Sequence, residues 1–206
     1  MSNYKAVLLD FGNVIININP ELTVEAFAEI SGKSVERIRQ KITDSQLFRR
    51  YESGMFDDDE FREIVRQTIG YPFSDHEIDK AWNSLLLDVP NKRVELLLEL
   101  KGRYPLYLLS NTNNIHIKAS NKIFQARHGI SSIELLFNKL FLSYEMGLWK
   151  PDEEIYLKVL EEIGMPAGDV LFIDDNELNI QTAKEIGFQT IFHDPQSRDL
   201  TDYFDL

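Results

Sequence analysis

Six polar residues of this 206-residue chain stand just beyond short apolar runs, or in a loop between them, and together they suit one chemistry. Asp10 follows Ala6–Leu9, Ser110 and Asn111 follow 106–109, and Asp174 and Asp175 follow 170–173. Lys150 comes from the loop Gly147-Leu148-Trp149-Lys150-Pro151. Runs this short and apolar on both faces suit buried parallel strands. In open parallel sheets the carboxyl ends of the strands line the crevice where ligands bind. One crevice would then hold three carboxylates, a hydroxyl, an amide and an ammonium. Crowded carboxylates resist ionising unless a cation shares the site. Oxygen ligands without His or Cys favour Mg²⁺, which keeps waters and takes a few carboxylates plus a substrate phosphate. With that ion present, Lys150 and Ser110 can hold phosphate oxygens, and a carboxylate can attack phosphorus to give an aspartyl-phosphate. The chemistry points to phosphoryl transfer.

These residues need elements to position them. Besides the three runs above, Lys139–Leu142 and Gln189–Phe192 read as strands. Helical patterns lie between the later strands, over 90–101, 113–128, 151–163 and 176–186, the last stopping at Gly187. Alternation of strand and helix predicts an α/β, Rossmann-like doubly wound parallel sheet. Residues 20–89 differ: no strand is evident, and helical patterns over 21–30, 35–42, 46–52, 58–69 and 75–86 are punctuated by Ser31-Gly32, Ser34, Ser53-Gly54, Asp57 and Ser74. An all-helical block inserted after the first strand predicts a core of 1–16 and 90–206 with a helical cap over 17–89. The chain must leave and rejoin the core near 15–20 and 87–90, which are the natural hinges.

Composition excludes several classes. There are 34 acidic against 22 basic residues, a net charge of −12. That balance opposes binding to nucleic acid or an anionic membrane, both polyanions. With 0 cysteines there is no disulfide framework, thiolate nucleophile or thiolate-bound metal. Asp10 interrupts the first apolar stretch too early for a secretory signal, and no run approaches the length of a membrane span. The reading is a cytoplasmic protein acting on a small molecule; its oligomeric state is not legible.

The chain resembles the haloacid dehalogenase superfamily, specifically its phosphatases with a helical cap. Four motifs carry the resemblance, in family order: Asp10-Phe11-Gly12-Asn13-Val14-Ile15, Leu108-Leu109-Ser110-Asn111-Thr112, Lys150-Pro151-Asp152, and Phe172-Ile173-Asp174-Asp175-Asn176-Glu177-Leu178-Asn179. The resemblance implies that Asp10 is the nucleophile and a metal ligand. It implies that the backbone carbonyl of Gly12 and the carboxylate of Asp175 complete the protein's share of a Mg²⁺ site. Ser110 and Lys150 would hold the transferring phosphoryl group with help from the Asn111 amide, Asp174 would orient Lys150, and Asn179 would support the metal shell.

One position departs from the family pattern. Most family phosphatases carry a second Asp two residues after the nucleophile as general acid and base, and here that position is Gly12. Acid–base help is worth about 10²–10⁴-fold, so its loss weighs most on poor leaving groups and least on a sugar-1-phosphate. The Asp-Phe-Gly-Asn-Val pattern also resembles a bacterial branch of the family that includes a glucose-1-phosphate phosphatase. Both lines favour a sugar phosphate. Two rivals stand beside this reading: a metal-free 2-haloacid dehalogenase of the same fold, and a non-catalytic member that binds a phospholigand. Among the remaining residues, His76, His116, His128 and His193 lack metal-ligand spacing and read as surface or helix positions. Arg49-Arg50-Tyr51-Glu52 reads as a solvated helix face, though it is also where a cap would reach a sugar. Trp149, beside Lys150, is a candidate wall of the substrate mouth.

Overall fold

The computed structural model describes residues 4–204. In chain order these form β1 (Ala6–Leu9), α1 (Glu21–Ser31), α2 (Val35–Asp44), α3 (Leu47–Glu52), α4 (Asp58–Ile69), α5 (Asp75–Asn83), α6 (Asn91–Arg103), β2 (Leu106–Ser110), α7 (Asn114–His128), β3 (Lys139–Leu142), α8 (Ser143–Met146), α9 (Glu153–Ile163), β4 (Val170–Asp174), α10 (Glu177–Ile186) and β5 (Gln189–Phe192). Residues 1–3, where the expected core segment begins, and 205–206, where it ends, lie outside the described residues.

Among the described residues the strands make one parallel sheet in the order β3-β2-β1-β4-β5. Successive side chains of a strand point to opposite faces, and β1 shows it. Val7 and Leu9 join a layer with Leu97 and Leu100 of α6 and Phe124 of α7. Ala6 and Leu8 join the opposite layer with Ile155, Tyr156 and Val159 of α9 and Ala183 of α10. The four residues of β1 are fully buried, which is why the strand is apolar throughout rather than alternating. This is the expected doubly wound α/β sheet. From β1 the chain builds outward to β2 and β3, then crosses back to β4 beside β1. That reversal is the switch point where such sheets bind ligands.

Helices α1 to α5 enclose a second core around Phe27, Ile38, Leu47, Phe61, Val65, Ile78 and Trp82, joined by Ile115 of α7. Tyr51 stacks on Phe61 with ring centroids 4.0 Å apart, and Phe61 lies 4.7 Å from Trp82. Aromatic pairs of this kind add about 0.5–1.5 kcal/mol beyond their buried area. The expected starts hold up: Ser34 accepts a hydrogen bond from the Arg37 N–H, and Asp57 and Ser74 each form a capping box, with Glu60 and Glu77. The acidic run 57–60 is thus a helix N-terminus. Several boundaries differ, and the helices expected over 35–42 and 90–101 run two residues further, to Asp44 and Arg103. The helix expected over 75–86 stops at Asn83 because Leu86 leaves to pair with Ile18 in an antiparallel bridge. The helix expected from 151 starts at Glu153, after a cis Lys150–Pro151 peptide.

The two chain connections between the sheet and α1–α5 are bound to each other. The Asn17 N–H donates to Asp88 O, Leu87 N–H to Asn17 O, and Asn19 N–H to Leu85 O. Buried Arg93 braces this ribbon, donating to the Ile15 carbonyl, the Asn17 side chain and Asp199. A ribbon of so few bonds next to exposed Asn19 and Pro20 opens more readily than the central strand. Hydrogen exchange is therefore expected to be faster at the amides of Asn17, Asn19 and Leu87 than in β1; equal protection would show a rigid junction.

Candidate active site

Strand register assembles the site. Leu9 pairs with Ile173 and with Leu108, so Asp10 sits at the tip of β1 beside Asp174 on one side and Leu109 on the other. Lys150 reaches into the space between them. Its ammonium donates to Asp10 Oδ1 at 2.6 Å, Asp174 Oδ2 at 2.7 Å and the Leu109 carbonyl at 2.8 Å. All three donors are used, which a buried ammonium requires. Burial acts to depress the Lys150 pKa, but Asp10 and Asp174 outweigh it and hold the group above its ordinary value.

Asp174 is fully buried and saturated. Besides Lys150 it accepts from the Asn176 N–H at 2.8 Å and from Asn179 Nδ2 at 3.0 Å on each oxygen. It holds the Lys150 ammonium from the β4 side. Asn179, expected to support the metal shell, braces Asp174 through both of its oxygens. The Asn111 side-chain amide donates to the Lys150 carbonyl and accepts from the Lys150 N–H, both at 2.9 Å. That side chain clamps the lysine loop. The Ser110 hydroxyl, buried at the tip of β2, has only a 3.5 Å contact to the Asn111 carbonyl.

Asp10, Asp174 and Asp175 offer oxygens within 4.8 Å of one another. Three carboxylates face one ammonium, so two negative charges are left over where water is scarce. Burial pushes the Asp10 carboxyl up, and Asp174 and Asp175 push the same way against the pull of Lys150. Burial also raises Asp175, opposed chiefly by Asn13. A divalent ion between Asp10 and Asp175 would cancel the excess and leave Asp10 ionised, the form in which a carboxylate attacks. Asp175 is well placed for this, because its described hydrogen bond takes only Oδ2, from Asn13 Nδ2 at 2.9 Å. The residues present therefore fit Mg²⁺, with Asp10 and Asp175 offering carboxylate oxygens, while the Gly12 carbonyl accepts from the Val14 N–H at 2.7 Å.

Several site residues carried no readable signal. Asn13 takes a left-handed backbone, φ 55°, which Asn tolerates better than most residues. From there it bonds Asp175 and accepts from the Ile18 N–H. His116 and His193, read as surface or helix positions, are both buried. Asn113 Oδ1 accepts from the Trp82 indole and the His116 N–H, so its Nδ2 donates to His116 Nδ1. That leaves His116 Nε2–H donating to the Trp82 carbonyl at 3.2 Å, and burial pushes the imidazole down to about 4. His116 is a neutral structural strut. The run 49–52 is not simply a solvated face either: Tyr51 lies in the helical core, and Glu52 turns toward Asn113. Trp149 lines a cleft of about 620 Å³ with Arg39, Phe48 and Arg49.

Fold and site together define an α/β hydrolase with an acidic, lysine-braced centre at the switch point. The sequence matches the haloacid dehalogenase-like hydrolases over residues 4–187. The chain belongs to that family, and within it is a phosphatase. It is similar to a D-ribitol-5-phosphate phosphatase of Bacteroides thetaiotaomicron, 30% identical over 186 residues that make up 90% of each chain. Among solved structures, a HAD family enzyme from Bacteroides thetaiotaomicron superposes with a TM-score of 0.91 at 37% identity, covering 100% of both chains. A complex of such an enzyme with magnesium and inorganic phosphate gives 0.89 at 38% identity, over 98% of this chain and 99% of that one. L-2-haloacid dehalogenase from Xanthobacter autotrophicus shares the fold alone, at 22% identity and a TM-score of 0.58, covering 91% of this chain and 76% of that one.

Proposed function

We propose that the protein is a Mg²⁺-dependent phosphatase that hydrolyses a small sugar or sugar-alcohol phosphate through an aspartyl-phosphate on Asp10. The observation that carries this is the cluster Asp10–Lys150–Asp174–Asp175, in which one ammonium leaves two negative charges for a divalent cation. Asp10, Asp175 and the Gly12 carbonyl hold the ion. When bound, it neutralises the site and stabilises charge on the transferring phosphoryl oxygens. Asp10 attacks phosphorus, Ser110 and Lys150 hold the phosphoryl oxygens, and Asp174, fixed by Asn179, keeps Lys150 in line. Most of the rate comes from such positioning and charge neutralisation. The likeness to a D-ribitol-5-phosphate phosphatase and to a magnesium–phosphate complex supports both the metal and a polyhydroxylated leaving group.

We take 1–16 and 90–206 as the catalytic core and 17–89 as a cap that covers the site and selects the leaving group. Two features favour the division: the separate apolar core of α1–α5 and the paired connections between 17–19 and 85–88. Among the described residues no helix is long and apolar enough to cross a membrane. A small phosphate ester is accordingly the partner proposed.

Phosphate release from D-ribitol 5-phosphate and a panel of sugar phosphates tests the reading. Turnover is expected with Mg²⁺, to disappear with EDTA and to return when Mg²⁺ is added in excess. Activity that survives EDTA, or halide release from 2-chloropropionate with no phosphate release from any ester, would overturn it. The dehalogenase alternative is disfavoured by Asp175, since a half-buried carboxylate beside Asp10 and Asp174 with no cation to serve is costly.

A further inference from the structure

The leaving oxygen needs a proton, and position 12 cannot give one. Gly12 has no side chain, and a Cβ built there would lie 2.8 Å from Ile18 Cδ1. Ile18 thus occupies the space where a carboxylate at 12 would start. In-line displacement places the leaving oxygen on the far side of phosphorus from Asp10. With position 12 unable to donate, a carboxylate of α1–α5 that is tied to the strand-tip loops is the candidate donor.

Glu52, the last residue of α3, is a carboxylate of α1–α5 tied to the segment that follows β2 and close enough to Asp10 for their charges to interact. Its backbone carbonyl accepts from Ser143 Oγ at 2.6 Å, and the same hydroxyl accepts from the Thr112 N–H at 2.9 Å. The end of α3 is therefore tied to the segment directly after Ser110. Gly54 fits closely against α8: a Cβ there would lie 2.3 Å from the Tyr144 carbonyl, and its φ is +70°, so only glycine suits this approach. The Glu52 side chain accepts from Asn113 Nδ2 at 3.4 Å through Oε1, and among the described residues Oε2 has no hydrogen-bond partner. Asn113 is in turn locked by Trp82 and His116, so the carboxyl is aimed by a rigid support.

We infer that Glu52 is the general acid and base of this phosphatase, standing in from the helical cap for the carboxylate missing at Gly12. The inference rests on the phosphatase reading above. In the first step Asp10 Oδ forms a bond to phosphorus, the ester P–O bond breaks, and the Glu52 proton passes to the departing oxygen to give the free alcohol. In the second, Glu52 as carboxylate takes a proton from the water that attacks phosphorus. The P–O bond to Asp10 breaks, releasing inorganic phosphate and restoring both groups. The protonation state agrees: burial raises the Glu52 pKa to about 8, with Asn113 opposing and Asp10 adding to the rise. Around it, Asp10 adds its charge, His116 stands behind Asn113, Tyr144 and Glu145 lie on α8, and Tyr51 precedes it on α3 and is bonded to Asp58. His116 is held low, Tyr51 and Tyr144 high, and Asp58 below its ordinary value.

The test compares Glu52→Gln with the unaltered protein, both with Mg²⁺, on p-nitrophenyl phosphate, phenyl phosphate and D-ribitol 5-phosphate. These leaving groups run from an acidic phenol to an ordinary alcohol. The expected loss of kcat is about 10²–10⁴-fold on D-ribitol 5-phosphate and under about tenfold on p-nitrophenyl phosphate. An equal loss on all three esters, or none, overturns the assignment. A measurement on the unaltered protein needs no variant to fold. On D-ribitol 5-phosphate kcat should fall as the pH rises and Glu52, whose carboxyl burial holds above its ordinary value, loses its proton, and this limb should be missing with p-nitrophenyl phosphate. The same limb on both esters counts against Glu52. If the unaltered protein hydrolyses none of the esters, the phosphatase reading itself fails; if it hydrolyses them and Glu52→Gln loses nothing selectively, only the role of Glu52 falls.

Discussion

Asp10→Asn should abolish phosphate release, with kcat down by about 10⁴-fold or more, the scale seen when a covalent nucleophile is removed. The substitution changes almost no volume, and its amide oxygen can still accept from Lys150, so the fold should persist. What it removes is the anionic oxygen that bonds to phosphorus. It also removes one of the two carboxylates proposed to hold Mg²⁺. Two measurements beyond activity follow. Acid quenching with ³²P-labelled substrate should trap label on the unaltered protein and none on the variant. Adding Mg²⁺ should raise the melting temperature of the unaltered protein by mass action and move the variant much less. A variant retaining more than about a hundredth of the activity would refute Asp10 as nucleophile, given the size of effect expected.

Lys150→Met should have the largest effect on stability. Lys150 is 2% exposed and lies between Asp10 and Asp174. Methionine fills a similar length but leaves both carboxylates without their counter-charge. Breaking a buried ion pair from one side costs about 3–5 kcal/mol, which in a chain of this size lowers the melting temperature by about 2–4 °C per kcal/mol. The pH dependence has a definite sign. Burial and the neighbouring aspartates already push Asp10 above its ordinary value with Lys150 present, and without Lys150 they act unopposed. The folded variant then binds protons that the unfolded chain has released. Its deficit relative to the unaltered protein should be small near pH 4, about where an unfolded Asp titrates, and should widen as the pH rises through the elevated folded value. Calorimetry from pH 4 to pH 8 reads this directly; a constant deficit would mean that Lys150 stabilises by packing alone. Mg²⁺ should recover part of the loss at neutral pH, because a second cation neutralises the same carboxylates, while turnover stays low without the phosphoryl contact.

The positions of Asp10, Lys150, Asp174 and Ser110 were legible because each stands at a strand tip or in a short motif whose residue types already specify the chemistry. Asp10 and Asp174 meet because Ala6–Leu9 and Val170–Asp174 are apolar enough to be central strands, and parallel pairing in register aligns their ends. Helix ends were legible wherever capping is local, as at Ser34, Asp57 and Ser74. The same logic failed after Asn83, where pairing between Leu86 and Ile18 overrode a helical pattern. That contact joins residues far apart in the chain, and periodicity does not report it.

Residue types and short spacings determined the chain's chemistry on their own: a sheet with acidic strand tips, a helical insertion, and a site rich enough in carboxylate to need a cation. Only the tertiary structure decided who serves whom. Asn111 clamps the Lys150 loop, Asn179 braces Asp174, and Asn13 steadies Asp175. Glu52 looks like one more charge on a helix until Ser143 and Asn113 tie it above the strand tips. The reason is physical: backbone pairing and burial follow from local pattern, whereas the partner of a polar side chain is set by whichever distant groups the packed fold brings within hydrogen-bonding distance.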